Sequence, residues 1–561
     1  MKKEHRTNRR YSAEFKIRVI LDMRTNYLGY HETVYIRREY LTTVTTSLQK
    51  FDGLLCLRLH FFNRKISRHL KIYHRKMCVY NKLFGAKFSK YYKTFPCFFA
   101  NSCYICIETE KGFIMQRKAL QQLIEWKNAP GRKPLLIQGA RQVGKTWLMK
   151  EFGKTHFSQM AYIHFDNNSR MQEIFNADFD IKRLITAFQI EAGCTITPND
   201  TLIVLDEIQE APHAVNSLKY FYEEAPEYAI IAAGSLLGIS LHKDDSFPVG
   251  KVDFLDLYPL SFSEFLMATD NERLAELVET RDWQLITAFK NKLIEQLRLY
   301  YFIGGMPEAV SAFAQYNDLK QVRKIQQELL RSYDRDFSKH APKETVPRIR
   351  LIWDSIPAQL AKENKKFVFS AIKSGARARD YEVAMQWLLD AGLIYHVCRA
   401  AKPAMPLTAY KADGFKAFML DIGLLGAKAN LNAKTLLEGS AVFQEFKGAL
   451  TEQYVQQELR AECNITPGYW SRETGNAEID FLYQSSDAII PIEVKAEENL
   501  KAKSLQVYCE HFHPPFSVRT SMADYRTSKK DFADYSHTMI NLPLYAVNQI
   551  RKECGDSQED I

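Results

Sequence analysis

The sequence predicts an α/β protein of several domains, and three stretches carry that expectation. PLLIQG (134–139) reads as a short buried strand that runs through GARQVGKT (139–146) into the helix WLMKEFGK. TLIVLDEI (201–208) is a second buried run and ends in two acids. Near the C-terminus, EIDFLYQSSDAIIPIEVKA (478–496) sets two apolar runs about a polar turn, the pattern of a β-hairpin. The chain has 561 residues, enough for three or four domains. A hydrophobic fraction of 46% with 25% charged residues is that of a soluble globular protein.

The first element, residues 1–114, stands apart from the rest. It holds 23 Lys and Arg against 8 Asp and Glu, whereas the remainder holds 53 against 58, so the net charge of +10 says nothing about nucleic acid binding by the main body. RRYSAEFKIRVILDM (9–23) resembles the opening helix of the helix-turn-helix of insertion-sequence transposases, and the resemblance stops there. Residues 24–114 have no clear period of 2 or 3.6. Met115 then opens a well-patterned helix. Residues 1–114 therefore read as a fused remnant or a mis-called start, or else as a basic arm for nucleic acid. No apolar run is long enough for a membrane span: FPCFFANSCYICI (95–107) is too short and carries polar residues. No apolar segment of the signal-peptide kind follows the basic N-terminus. Cys103 and Cys106 form a lone CxxC, and the ten cysteines have no zinc-ligand spacing, which points to reduced thiols and a cytoplasmic protein.

GARQVGKT matches GxxxxGK[ST] in the strand–loop–helix setting that the motif requires. Gly139 and Gly144 let the backbone curl so that the N–H groups of Gly139, Ala140, Arg141, Gln142, Val143 and Gly144 face the phosphates of ATP. Lys145 is expected to reach the β- and γ-phosphates, and the Thr146 hydroxyl to ligate Mg2+. The partner strand supplies Asp206, to hold Mg2+ through water, and Glu207, to orient the attacking water. A further strand, MAYIHFD (160–166), lies between the two motifs in sequence, so the motif strands are expected to be separated in the sheet by an inserted one. YAIIAAGSLLG (228–238) is another buried strand, ending at Ser235, which is either a sensor of the γ-phosphate or a turn residue.

Taken in order, GARQVGKT, LIVLDEIQ, AAGS, VGKV…LYPLSFSEFL and GGMPEAV resemble a widespread prokaryotic family of AAA+-type P-loop ATPases that carry a C-terminal domain of restriction-endonuclease-like fold. The resemblance runs from about Met115 to about Val547. It implies a P-loop ATPase core over 115–270, a helical lid over 271–345, a winged helix over 346–405, a restriction-endonuclease-like α/β domain over 406–547 and a polar tail over 548–561. Many relatives have Gly-Arg where this chain has Gly250-Lys251. Lys251 would supply charge without the planar fork of arginine, and Arg331 and Arg335 read as part of a solvated helix face. Two or three helices followed by a strand suggest the winged helix, in which Lys373, Arg377 and Arg379 would face phosphate, the other reading being a connector between domains.

FKGALTEQYVQQELRAE (446–462) reads as a helix with Ala449, Gln453, Val455 and Leu459 near its buried side and Glu452 upon it. A helix acid followed by Asp-x12-Glu-x-Lys across a hairpin is the layout of the PD-(D/E)xK nucleases, with Ile479 in place of the proline. That layout implies Asp480 and Glu493 as Mg2+ ligands, Glu452 as an outer ligand and Lys495 as the group that positions water or stabilises charge. The expected activity is Mg2+-dependent ATP hydrolysis, coupled to DNA processing or cleavage. The rival is an ATP-switched module whose nuclease-like domain grips DNA or protein without cutting, and a third reading, in transposition, needs residues 1–114. A protein partner or a homo-oligomer fits each of these readings, and no membrane does.

Overall fold

A computed structural model describes residues 115–556, except 235–247, 363–364, 435–443, 474–475, 499–502 and 532–534. The segment 1–114 and Ser235 lie outside the described residues.

The first layer is built from α1 (Ala119–Asn128), β1 (Leu135–Gln138), α2 (Lys145–His156), β2 (Gln159–His164), α3 (Ser169–Ala177), α4 (Ile181–Ala192), β3 (Thr201–Asp206), α5 (Pro212–Glu224), β4 (Ala229–Ala233) and β5 (Asp253–Asp256). The strands form one parallel sheet in the order β2-β3-β4-β1-β5. β3 is buried at all six positions, which is why TLIVLD reads as an unbroken apolar run and not as an alternating one. The two motif strands, β1 and β3, are separated by an inserted strand as expected. The inserted strand is β4, however; β2, the strand next in sequence, pairs on the far side of β3.

Beyond β5 the chain is helical: α6 (Phe262–Ala268), α7 (Glu272–Thr280), α8 (Trp283–Ala288), α9 (Lys290–Ile303), α10 (Pro307–Tyr316), α11 (Leu319–His340), α12 (Val346–Leu360) and α13 (Ala378–Asp390). The pair Gly304-Gly305 between α9 and α10 sits against the first layer. A Cβ on Gly305 would lie 2.0 Å from the Leu260 carbonyl oxygen, and that close approach lets the Leu260 amide donate to the Gly305 carbonyl at 2.7 Å. The Gly305 amide in turn donates to Asp421 Oδ2 at 2.6 Å.

The remaining elements are β6 (Ile394–Ala400), β7 (Lys411–Met419), α14 (Ile422–Lys428), α15 (Gln444–Ala461), β8 (Gly468–Ser471), β9 (Glu478–Gln484), β10 (Ile489–Val494), α16 (Lys503–Phe512), β11 (Phe516–Ser521), β12 (Arg526–Asp531), β13 (Ser536–Pro543) and α17 (Ile550–Glu553). Their strands make one mixed sheet of eight, β12-β13-β11-β10-β9-β8-β6-β7. β6 falls in the segment assigned to a winged helix, yet it pairs with β8 in parallel and with β7 antiparallel. One sheet therefore spans the boundary expected at 405/406. β9 and β10 form the expected antiparallel hairpin, Phe481 opposite Ile492. Asp480 lies near the start of β9.

α15 is buried on more than the side that its apolar residues mark. Ala449, Val455 and Leu459 are covered, and so are Glu452, Gln453, Gln456, Gln457 and Glu458. Polar groups elsewhere satisfy most of these: Gln453 bridges both backbone groups of Met419, and Gln457 accepts from the Ile422 amide and donates to the Tyr300 hydroxyl. One apolar core runs through Leu148, Tyr300, Trp353, Tyr454 and Ile492, joining the parallel sheet, the helices and the mixed sheet. Among the described residues no helix is long and apolar enough to cross a membrane.

Candidate functional site

The loop between β1 and α2 closes on itself through its own lysine. Lys145 Nζ donates to the carbonyl oxygens of Gly139 and Ala140, each at 2.8 Å. Gly144 holds φ at +99°, a conformation that suits glycine, and so turns the chain into α2. The N-terminus of a twelve-residue helix then faces the loop and favours an anion there. Burial pulls the Lys145 amine down to about 8, with Arg141 acting the same way and Glu207 and Asp206 opposing. A phosphate supplies the counter-charge that would restore it.

Three donors converge on Asp206 at the end of β3. The hydroxyls of Thr146 and Tyr162 donate to its Oδ2 at 2.8 and 2.7 Å, and the Glu207 amide donates to Oδ1 at 3.1 Å. Thr146 and Asp206, the two expected Mg2+ positions, therefore stand side by side, and their oxygen donors suit a hard cation. Glu207 adopts the left-handed region at φ +55°, turning its carboxylate out of the strand, where Gln209 donates to it. Tyr162 was not anticipated from the sequence; its place on β2 beside β3 gives it the contact.

The loop is also tied to its surroundings by two arginines. Arg117, buried ahead of α1, donates to the Val143 carbonyl at 3.2 Å and to the Tyr258 carbonyl at 2.6 Å, and pairs with Glu264 at 3.2 Å. Arg141 points to α11, pairing with Asp336 at 2.6 Å and meeting His340 Nε2 at 3.1 Å, while the Tyr333 hydroxyl donates to its carbonyl at 3.0 Å. Arg331 and Arg335 are exposed on that helix. Lys251 pairs with Glu223 at 3.0 Å, ahead of the start of β5. The loop follows the other end of β1, which runs parallel to β5 in register, so Lys251 cannot reach the phosphates of its own loop.

In the mixed sheet, Glu452 from α15, Asp480 from β9, Glu493 from β10 and Lys495 just beyond it come together. The Val494 amide donates to Asp480 Oδ2 at 2.8 Å, and Lys495 Nζ pairs with Glu493 at 2.6 Å. Burial, with Glu452 and Glu493 close by, holds the Asp480 carboxyl well above the usual range. Burial likewise raises Glu493, against the pull of Lys495, and its Oε2 is buried without a hydrogen bond.

Two cations in this cluster were missed in the sequence. Lys416 on β7 is fully buried and sits 2.6 Å from Glu478, 3.5 Å from Glu452 and 3.7 Å from Asp480. Burial alone would lower its amine, but Glu452, Asp480 and Glu478 together raise it. Lys365 pairs with the other oxygen of Glu452. These ammonium groups stand beside the acids expected to hold Mg2+, and among the described residues no group of three or more His, Cys, Asp or Glu side chains is arranged to hold a metal ion. Lys416 and Lys365 offset part of the negative charge that Glu452, Glu478 and Asp480 bring together.

Comparison with known proteins bears on the two regions differently. Residues 131–266 match the family model described as an AAA domain. Residues 294–435 and 447–545 match two models described as domains of unknown function (DUF8612 and DUF4143). Similar solved structures include the Walker-type ATPase paby2304 of Pyrococcus abyssi, at 14% identity over 56% of this chain and 96% of that one, with a TM-score of 0.36. The Thermotoga maritima RuvB Holliday junction branch migration motor matches at 12% identity over 50% and 90%, with a TM-score of 0.26. The Aeropyrum pernix ORC1 protein in complex with DNA matches at 12% identity over 56% and 93%, with a TM-score of 0.24. No curated protein matches the sequence.

Proposed function

We infer, from the AAA-type P-loop ATPase domain at residues 131–266, that the chain is a Mg2+-dependent ATPase acting as an ATP-switched module that binds DNA or protein, its C-terminal domain being a nuclease-like fold that grips and does not cut. The N–H groups of 139–144 and the start of α2 cradle the phosphates. Lys145 moves from the Gly139 and Ala140 carbonyls to the β- and γ-phosphates, regaining its charge as it does so. Mg2+, when bound by Thr146 and by Asp206, offsets the charge of the phosphates. Glu207 orients the attacking water and polarises it. Arg141, paired with Asp336, links the state of the loop to α11.

The observation that carries the non-cutting half of this reading is the Lys416 ammonium set among Glu452, Glu478 and Asp480. A cleavage site needs those carboxylates to gather a metal and generate hydroxide, whereas an internal cation leaves them with little charge to offer one. Lys373 and Arg377, exposed just ahead of α13, offer a surface for phosphate, as does Arg379, whose nearest acid is Asp380 at 3.8 Å. The test is incubation of the full chain with supercoiled, linear and single-stranded DNA in Mg2+ or Mn2+, with and without ATP, beside Glu493→Ala and Lys145→Ala. ATP-dependent retention of DNA or of a protein, without strand loss, is the expected result. Cleavage that disappears in Glu493→Ala overturns it and restores the nuclease reading.

A further inference from the structure

Behind the phosphate loop lies a cleft of about 680 Å3, walled by the segment after β5, by β6 and by the end of α15. Of the loop residues only Gly139 reaches it; Gly144, Lys145 and Thr146 do not line it, nor do Asp206 and Glu207. It is therefore separate from the place where the triphosphate and its metal are held. The volume is that of a small-molecule site.

The chemistry of its walls is one-sided. Arg460, Arg399 and Lys411 bring three cations, against the single carboxylate of Asp256. The Arg460 guanidinium lies over the Tyr395 ring at 4.7 Å, and its Nε is buried with no hydrogen-bond partner. His396 stacks on Phe415 at 3.9 Å between ring centroids, and its Nε2 is also buried without a partner. Burial and the neighbouring Arg460 lower this imidazole to about 4, so it meets a ligand neutral. Arg399 is held by Ser471, its Nε donating to the hydroxyl and Nη2 to the carbonyl, each at 3.0 Å, which aims the fork in advance. Unpaired buried polar atoms are costly and rare in folded proteins. Two of them, on residues that line one cationic cleft, point to a group that completes them.

We propose that this cleft is a second ligand site, for a small phosphate monoester whose body carries hydroxyl or amino groups. The phosphate lies between Arg460 and Arg399, a pairing that guanidinium forks make with phosphate oxygens. His396 completes its bonding to the same group, and Asp256, beside Arg460, and Gln484 take the hydroxyls or amines of the ligand's body. The site joins the segment after β5 to β6 and α15, so its ligand would touch the ATPase domain and the mixed sheet together.

The test uses the full chain with its phosphate loop saturated by a non-hydrolysable ATP analogue and Mg2+. AMP, ribose 5-phosphate and adenosine are then titrated by calorimetry. One further site for AMP or ribose 5-phosphate, and none for adenosine, is expected. Arg460→Gln and the rim variant Lys411→Glu should each weaken it by about tenfold or more, with the affinity for the ATP analogue unchanged. If Arg460→Gln does not fold, Lys411→Glu alone decides, since that side chain is exposed. Absence of binding by either phosphate, adenosine binding as well as AMP, loss of the site when the loop is saturated, or affinities untouched by both substitutions would each overturn the proposal.

Discussion

Thr146 and Asp206 are 60 residues apart in sequence, and the hydroxyl of one donates to the carboxylate of the other at 2.8 Å. The contact crosses from the first turn of α2 to the end of β3, with β4 between the two motif strands. It sets two oxygen groups of the kind a hard cation prefers side by side. Asp206→Ala should therefore weaken Mg2+ binding about 10–100-fold in the presence of ATP, read by titrating Mg2+ against bound nucleotide. An unchanged Mg2+ midpoint would remove Asp206 from the site.

Glu207→Gln keeps the size of the side chain and removes its charge. Hydrolysis should fall by about 10²–10⁴-fold while ATP binding persists, since phosphate recognition rests on the loop and Lys145. Single-turnover hydrolysis and equilibrium binding, measured side by side, separate the two. Equal losses in both would mean that Glu207 holds the loop instead of orienting water.

Lys145 is held at about 8 in the nucleotide-free protein, chiefly by burial. Below that pH it meets the phosphates already charged; above it a proton must be taken up on binding. ATP affinity should thus be level at and below neutral pH and decline above about pH 8, with proton uptake seen in buffers of different ionisation enthalpy. Affinity that is flat through about pH 9 contradicts the assignment.

Lys416→Met takes the cation from among Glu452, Glu478 and Asp480. Leaving buried acids unpaired should cost about 3–5 kcal/mol. The cost depends on pH with a definite sign. Asp480 already titrates above the unfolded carboxyl value, and losing Lys416 raises it further, so the stability of the variant is greatest where the acids are protonated and is lost as pH rises through the folded value. Its melting temperature should approach that of the wild type near about pH 4–5 and fall well below it at about pH 8. A deficit independent of pH would show that Lys416 acts through packing alone.

Gly305→Ala places a methyl group 2.0 Å from the Leu260 carbonyl oxygen. Backbone must then shift, parting α10 from the first layer. The expected loss is about 2–4 kcal/mol, larger than for Ala at an exposed helix position, and measurable by denaturant unfolding. Near-native stability would mean that the approach of the two backbones is not needed.

The ATPase site was legible because its chemistry is local. Gly139 to Thr146 are contiguous, and the buried run before Asp206 announces a parallel strand by composition alone. The neighbours of that site were not legible, since Tyr162, Arg117 and Asp336 reach it through strand order and helix packing. The same holds in the mixed sheet. The spacing of Asp480, Glu493 and Lys495 shows in the hairpin, but Lys416 lies 64 residues before Asp480 and stands beside it only because β6 and β7 join the sheet. Helix α15 was legible in part: Gln453 reads near its buried side and is buried, but the burial of Gln456, Gln457 and Glu458 comes from packing that the helix's own pattern does not show.

That helix has a consequence for how such a chain can change over generations. Glu452 faces Lys416 of the sheet and Lys365, and about 9 Å further along Glu458 accepts from the Phe262 amide at 2.8 Å. Just beyond the helix, Glu462 accepts a hydrogen bond from the Ser261 hydroxyl and pairs with Lys118 at 2.6 Å. Burial raises Glu458 well above the usual carboxylate range, so neither end tolerates a foreign surface. The C-terminal part is consequently not a cassette: recombination between relatives can pass on both banks of α15 together, while a crossover through it would leave stranded acids on each side.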